Sequence, residues 1–126
     1  MKTAHDLVMA AKACIHEIEI TAADAAMQAA DVVIDVREAD EFHAGHLPGA
    51  INIPRGLLEF KLSNDPELAA RERKLVLYCK NSGRSALAAQ SLQAMGYLQV
   101  LSIAGGFEAW VAAEKPVSCP SLPSFD

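Results

Sequence analysis

The first apolar positions of the chain, Leu7, Val8, Ala11, Cys14 and Ile15, recur at intervals of three and four residues. That spacing gathers side chains on one face of an α-helix and predicts an amphipathic helix over residues 4–14. Ile18 and Ile20 then alternate with polar neighbours, the period of a short strand. Thr21 is placed to N-cap a helix over 22–29, with Asp24 three residues on in a capping-box arrangement. The run Val32-Val33-Ile34-Asp35-Val36 predicts a buried strand ending at Arg37. A helix over 39–44 leads into the turn Gly45-His46-Leu47-Pro48-Gly49 and a brief strand over 50–53, which Pro54 stops for want of an N–H. Leu57, Leu58 and Leu62 belong to a following helix or turn, and Asn64-Asp65-Pro66 breaks the pattern before a short segment over 67–71. Leu75-Val76-Leu77-Tyr78 predicts a further buried strand, and the Ala-rich stretch over 86–95 a helix closed by Gly96 at C′. A strand over 98–103, a turn at Gly105-Gly106 and a helix over 107–114, stopped by Pro116, complete the pattern. Phe107, Trp110 and Val111 share a helical spacing that assigns them to the core.

Short apolar strands alternating with helices imply an α/β fold, a mostly parallel sheet covered on both faces. In such sheets ligands bind beyond the carboxyl ends of the strands. Asp35 and Arg37 end one predicted strand, Asn52 closes a second, Cys79 ends a third and Gly105-Gly106 follows a fourth, so all should gather at one sheet edge. Asp35 reads as a carboxylate capping its own loop, and Arg37 either as its ion-pair partner or as a substrate contact.

The chemistry concentrates in Cys79-Lys80-Asn81-Ser82-Gly83-Arg84-Ser85, which runs from the apolar strand into the Ala-rich helix. Such a loop turns successive N–H groups inward, and the partial positive charge of the helix N-terminus adds to them. Lys80 and Arg84 bring two cations that favour a thiolate, the nucleophilic form of cysteine. Gly83 permits close approach of a ligand, and Arg84 can fork two hydrogen bonds onto an oxyanion.

The 126 residues contain no internal linker or repeat and suit one domain. A net charge of −5, with only 11 Lys plus Arg, argues against a nucleic-acid surface, so anion recognition must be local. No apolar run is long enough to span a membrane, and the N-terminus lacks a long apolar stretch and a convincing cleavage site, so the expectation is a cytoplasmic protein. Cys14, Cys79 and Cys119 are odd in number and widely spaced, which suits free thiols in a reducing compartment rather than structural zinc. His43 and His46 have the spacing of a ligand pair, yet no metal is expected there. Cys119 falls in a Pro/Ser-containing tail, where it reads either as a second thiol working with Cys79 or as an exposed bystander.

The chain resembles the rhodanese homology family over residues 16–115. The matching residues are Asp35-Val36-Arg37-Glu38, Glu41-Phe42, Gly45-His46-Leu47-Pro48-Gly49-Ala50, Asn52-Ile53-Pro54, Cys79 with Arg84-Ser85, and Gly105-Gly106-Phe107 with Trp110. The resemblance implies a five-stranded, mostly parallel sheet with helices on both faces, here preceded by an extra N-terminal helix. It divides the chain into a helical extension over 1–15, the domain over 16–115 and a flexible tail over 116–126. The implied activity is sulfurtransfer from thiosulfate or a related donor through a Cys79 persulfide, without metal or organic cofactor. In that reading Lys80, Asn81, Ser82, Gly83, Arg84, Ser85 and Arg37 bind the donor, while Asp35, Glu41, His46 and Asn52 support the site. The implied partners are a small anionic sulfur donor and a cyanide, thiol or protein acceptor, with the protein a monomer or homodimer. Related phosphatases and arsenate reductases of this fold carry one more residue between cysteine and arginine, which widens the cradle for a tetrahedral anion. Here only Lys80, Asn81, Ser82 and Gly83 intervene, which favours sulfur chemistry. A third reading is a non-catalytic carrier or regulatory module.

Overall fold

Leu75, Leu77 and Cys79 point to one side of the sheet and Val76 and Tyr78 to the other, and all five are buried. The strand that carries them, Lys74–Tyr78, is therefore enclosed on both faces, which is why its sequence is apolar without alternation. The structure is a computed structural model describing residues 1–119. Along it run α1 (Ala4–Lys12), β1 (His16–Ile18), α2 (Ile20–Ala29), β2 (Val32–Asp35), α3 (Ala39–Ala44) and β3 (Ile51–Asn52). A 3₁₀ turn (Arg55–Leu57), α4 (Leu58–Asn64), α5 (Pro66–Ala69), β4 (Lys74–Tyr78), α6 (Gly83–Ala94), β5 (Gln99–Ile103) and α7 (Gly106–Ala112) follow. The five strands form one sheet in the order β1-β5-β4-β2-β3, every pair parallel.

Two apolar layers flank the sheet. One joins Ile34, Leu75 and Leu77 to Leu58 and Leu62 of α4, Leu92 of α6 and Ala11 of α1. The other joins Val33, Val76 and Ile103 to Ala23 of α2 and Trp110 of α7. Helix α1 packs on α6 and so lies on the same side of the sheet as Cys79. Among the described residues no helix is long and apolar enough to cross a membrane.

Four details depart from the sequence expectation. Ile20 opens α2 instead of extending β1, with Glu19 at the N-cap, because β1 stays in register with β5 only through Ile18↔Ile103. Thr21 therefore caps nothing, and Asp24 pairs with Lys115 of the distant C-terminal segment. Helix α6 starts at Gly83, three residues earlier than the Ala-rich pattern. Val111 is exposed, whereas Trp110 is buried, since α7 covers the sheet with a single stripe. The start of the C-terminal segment makes three hydrogen bonds to the domain. Pro116 O accepts from Trp110 Nε1 at 2.7 Å, and Ser118 exchanges two backbone hydrogen bonds of 2.8 Å with His46. Residues 120–126 of that segment lie outside the described residues.

Candidate active site

Parallel pairing carries Asp35, Asn52 and Cys79 to one edge of the sheet: Asp35 lies opposite both Asn52 and Tyr78, the residue before Cys79. The Cys79 side chain is wholly buried at the point where β4 gives way to the loop into α6. Its Sγ accepts the N–H of Ser85 at 3.4 Å and lies 3.6 Å from Ser85 Oγ. Ser102 of β5 donates its hydroxyl to Ser85 Oγ at 2.9 Å, and Ser85 Oγ donates to Ser82 O at 3.2 Å. Rotation of the Ser85 hydroxyl from Ser82 O to Sγ would hold a thiolate or persulfide anion with two donors, Ser102 fixing the pivot.

Two loop amides, those of Ser82 and Gly83, turn to a side chain of the loop itself. Asn81 Oδ1 accepts from the N–H groups of Ser82, at 2.6 Å, and Gly83, at 3.3 Å. An Asx side chain competes for nearby amides in this way, and here it fixes the loop's curvature. Helix α7 closes the loop from the far side, with Phe107 N donating to Cys79 O at 2.8 Å and Glu108 N to Lys80 O at 2.9 Å. Gly106 permits that approach, for a Cβ there would stand 2.3 Å from Cys79 O.

The charged residues fall into separate pairs. Arg84 faces α3, where its two terminal nitrogens contact the Glu41 carboxylate at 2.7 and 3.0 Å. That fork is the largest influence on Glu41 and pulls its pKa down to about 2, while the carboxylate raises that of Arg84. The expected fork onto an anion is thus occupied by Glu41 in this state. Arg37 is 4% exposed and binds Asp35 through Nε and Nη2, with a further 2.6 Å bond from Nη2 to Gly45 O. Burial works against the Arg37 charge, but the hydrogen bonds and charge of Asp35 outweigh it and hold the pKa above its ordinary value. The guanidinium also lies over the Phe107 ring, 4.3 Å from its centroid. Of the two readings of Arg37, the ion pair with Asp35 is the contact the side chain makes. Lys80 is exposed and stands 3.9 Å from Glu108.

Three further residues support the neighbouring loops. Asn52 donates to the carbonyls of Asp35, at 3.0 Å, and Arg37, at 2.9 Å. Asp35 Oδ1 accepts the N–H of Arg37 at 2.9 Å and so caps its own loop. His46 stacks on Phe42 and places Nδ1 3.0 Å from Phe42 O, while His43 meets Phe42 edge-on and is exposed. The two histidines do not converge, and no cluster of three or more metal-ligating side chains occurs among the described residues. Tyr78 accepts the N–H of Leu47 at 3.1 Å, and burial, followed by the charge of Asp35, pushes its phenol far above the ordinary range. Cys119 is exposed, its thiol 3.5 Å from Ala44 O.

Sequence reasoning missed two residues at this site. Ser102 was signalled only by being polar at an inward position of β5, between buried Val100 and Ile103. Lys12, from outside the domain, donates to Ser82 Oγ at 2.7 Å and left no signal beyond its place on an amphipathic helix.

The sequence profile of the rhodanese-like domain matches residues 19–113. The chain belongs to this family. The rhodanese-like domain is 40% identical over 78 residues to the uncharacterized protein YqhL of Bacillus subtilis, a match spanning 62% of this chain and 59% of that protein. It is 33% identical over 81 residues to thiosulfate sulfurtransferase GlpE of Coxiella burnetii, across 64% of this chain and 72% of the relative. Among solved structures, a Rhodopseudomonas palustris protein described as of unknown function and a possible tyrosine phosphatase superposes with a TM-score of 0.86 at 32% identity. That match covers 94% of this chain and 96% of the other, so it extends beyond the rhodanese-like domain into the N-terminal extension.

Proposed function

We propose that this rhodanese-like domain moves a sulfane sulfur through a persulfide on Cys79. The observation that carries the reading is the setting of Cys79 Sγ, enclosed by a four-residue loop and facing the N–H and hydroxyl of Ser85. In the first half-reaction the thiolate attacks the outer sulfur of an anionic donor such as thiosulfate; the donor's S–S bond breaks and sulfite leaves with its electron pair. The Ser85 N–H and hydroxyl then stabilise the persulfide anion. In the second half-reaction cyanide or a thiol attacks the terminal sulfur, the Cys79 S–S bond breaks, and the thiolate returns. A protein acceptor would enter at the same step.

Thiosulfate as donor is supported by the likeness to the GlpE relative. The description of the R. palustris structure keeps phosphatase chemistry as a second reading. Against it stand the short loop and the commitment of Arg84 to Glu41, which turns that fork away from a phosphoryl group in the loop. The test is mass spectrometry of the protein after exposure to thiosulfate, with Cys79→Ser beside it. Addition of one sulfur atom to wild type and none to the variant is expected. Aryl phosphate hydrolysis abolished by the same substitution, without sulfur addition, would establish the rival.

A further inference from the structure

We propose that Lys12, from the N-terminal helix outside the rhodanese-like domain, is a specificity-determining residue that selects dianionic over less charged sulfur donors. This rests on the sulfurtransfer reading of Cys79.

Two of the three cations that sequence alone assigned to the donor, Arg84 and Arg37, are engaged elsewhere, and the third, Lys80, extends into solvent. Arg84 is forked onto Glu41, Arg37 is buried against Asp35, and Lys80 is 61% exposed and turned toward Glu108. Lys12 instead reaches the Cys79 loop from α1, its ammonium 2.7 Å from Ser82 Oγ and 3.5 Å from Glu17. Ser82 bears the mark of this contact. A serine at a helix N-cap ordinarily turns its oxygen to the amides of the first turn, yet Ser82 makes no such bond, and its oxygen accepts from Lys12. One turn earlier on α1, Val8 lies 3.6 Å from where a Cβ on Gly83 would be, so helix and loop are in direct contact.

Cys79 is wholly buried, so a donor reaches Sγ only when loop residues yield. Ser82, within that loop, is the residue Lys12 holds. An ammonium bound to the loop through Ser82 favours each added negative charge on an anion that enters there, whereas Glu17 opposes it. Replacing Lys12 should therefore penalise a dianion more than a monoanion.

The experiment measures single-turnover sulfur transfer to Cys79 from thiosulfate, a dianion, and from methanethiosulfonate, a monoanion that yields the same persulfide and releases methanesulfinate. Lys12→Gln should slow the first about tenfold and the second about threefold, because the interaction energy with the ammonium doubles when the donor's charge doubles. Lys12→Arg should restore the wild-type ratio, and Glu17→Gln should raise it. A merely structural Lys12 would lower both rates by one factor, and that result overturns the proposal, as does an unchanged Lys12→Gln. If the wild-type protein takes sulfur from neither donor, the sulfurtransfer reading falls on that result alone. The role of Lys12 is then decided by thiosulfate titration of Cys79→Ser followed by NMR, with and without Lys12→Gln. Weaker binding in the double variant sustains an anion-selecting lysine, while equal binding or none refutes it.

Discussion

Arg84 and Glu41 meet edge to edge, Nη1 2.7 Å from Oε1 and Nη2 3.0 Å from Oε2, and so tie the N-terminal turn of α6 to α3. The fork holds the Glu41 pKa at about 2, against 4.5 for a free glutamate. Because the folded-state value is the lower one, the pair contributes its full stabilisation above about pH 4.5 and loses it as pH falls toward 2. The side chains are 36% and 30% exposed, so solvent screening keeps the contribution to about 1 kcal/mol or less. Urea unfolding at pH 6, 4 and 3 should show wild type losing more stability than Glu41→Gln on acidification. Parallel curves for the two proteins would mean that the fork contributes nothing to folding. The same substitution leaves Arg84 without its carboxylate and makes its guanidinium available to an entering anion.

Ser102 acts on Cys79 only through Ser85, which makes its effect separable from that of a direct donor. Ser102→Ala removes the hydroxyl that fixes Ser85 Oγ and should lower the rate of persulfide formation about tenfold, less than the loss expected on removing a donor in contact with the reacting group. The cost in stability should be about 1 kcal/mol, that of one buried neutral hydrogen bond. Ser85→Ala should slow transfer further, since it removes the pivot itself. Stopped-flow rates for both variants, set beside their urea midpoints, decide the matter. A Ser102→Ala protein with wild-type rate and reduced stability would make the relay purely structural.

The sheet and the place of Cys79 at its carboxyl edge were legible in the sequence because each rests on local pattern. Leu75, Val76, Leu77 and Tyr78 are buried on both faces and must therefore be apolar, and the residue after them falls at the ligand-binding edge whatever the rest of the chain does. Arg84 shows where such reading ends. Its chemistry allowed an anion or a carboxylate, and only the packing of α3 beside α6 put Glu41 within reach across 43 positions of chain. Lys12 reaches Ser82 across 70 positions, a contact that depends on where α1 docks. Thr21 failed for a smaller reason: it had the right chemistry for an N-cap, but the register of β1 ended the strand two residues earlier and moved the cap to Glu19.

Gly106 offers the sharpest test of how the loop is held. A Cβ at this position would stand 2.3 Å from Cys79 O and 2.9 Å from Asn81 O, both backbone atoms, and the residue lies at φ +52°. Backbone cannot swing aside as a side chain can, so Gly106→Ala must push α7 off the loop and stretch the bonds from Phe107 N and Glu108 N. The destabilisation should reach about 3 kcal/mol, and displacement of Sγ by about 1 Å should slow sulfur transfer on the order of a hundredfold. Gly49→Ala is the control, because Gly49 has φ +81° but nothing within 4 Å of where its methyl would stand, so it carries the left-handed strain without the collision. That variant should cost only about 1 kcal/mol and leave the transfer rate unchanged. Urea midpoints and single-turnover rates measured on both proteins separate strain from contact. Equal behaviour of the two variants would show that the carbonyls of the Cys79 loop accommodate α7 without a glycine, and that the loop is positioned from the Ser85 and Lys12 side alone.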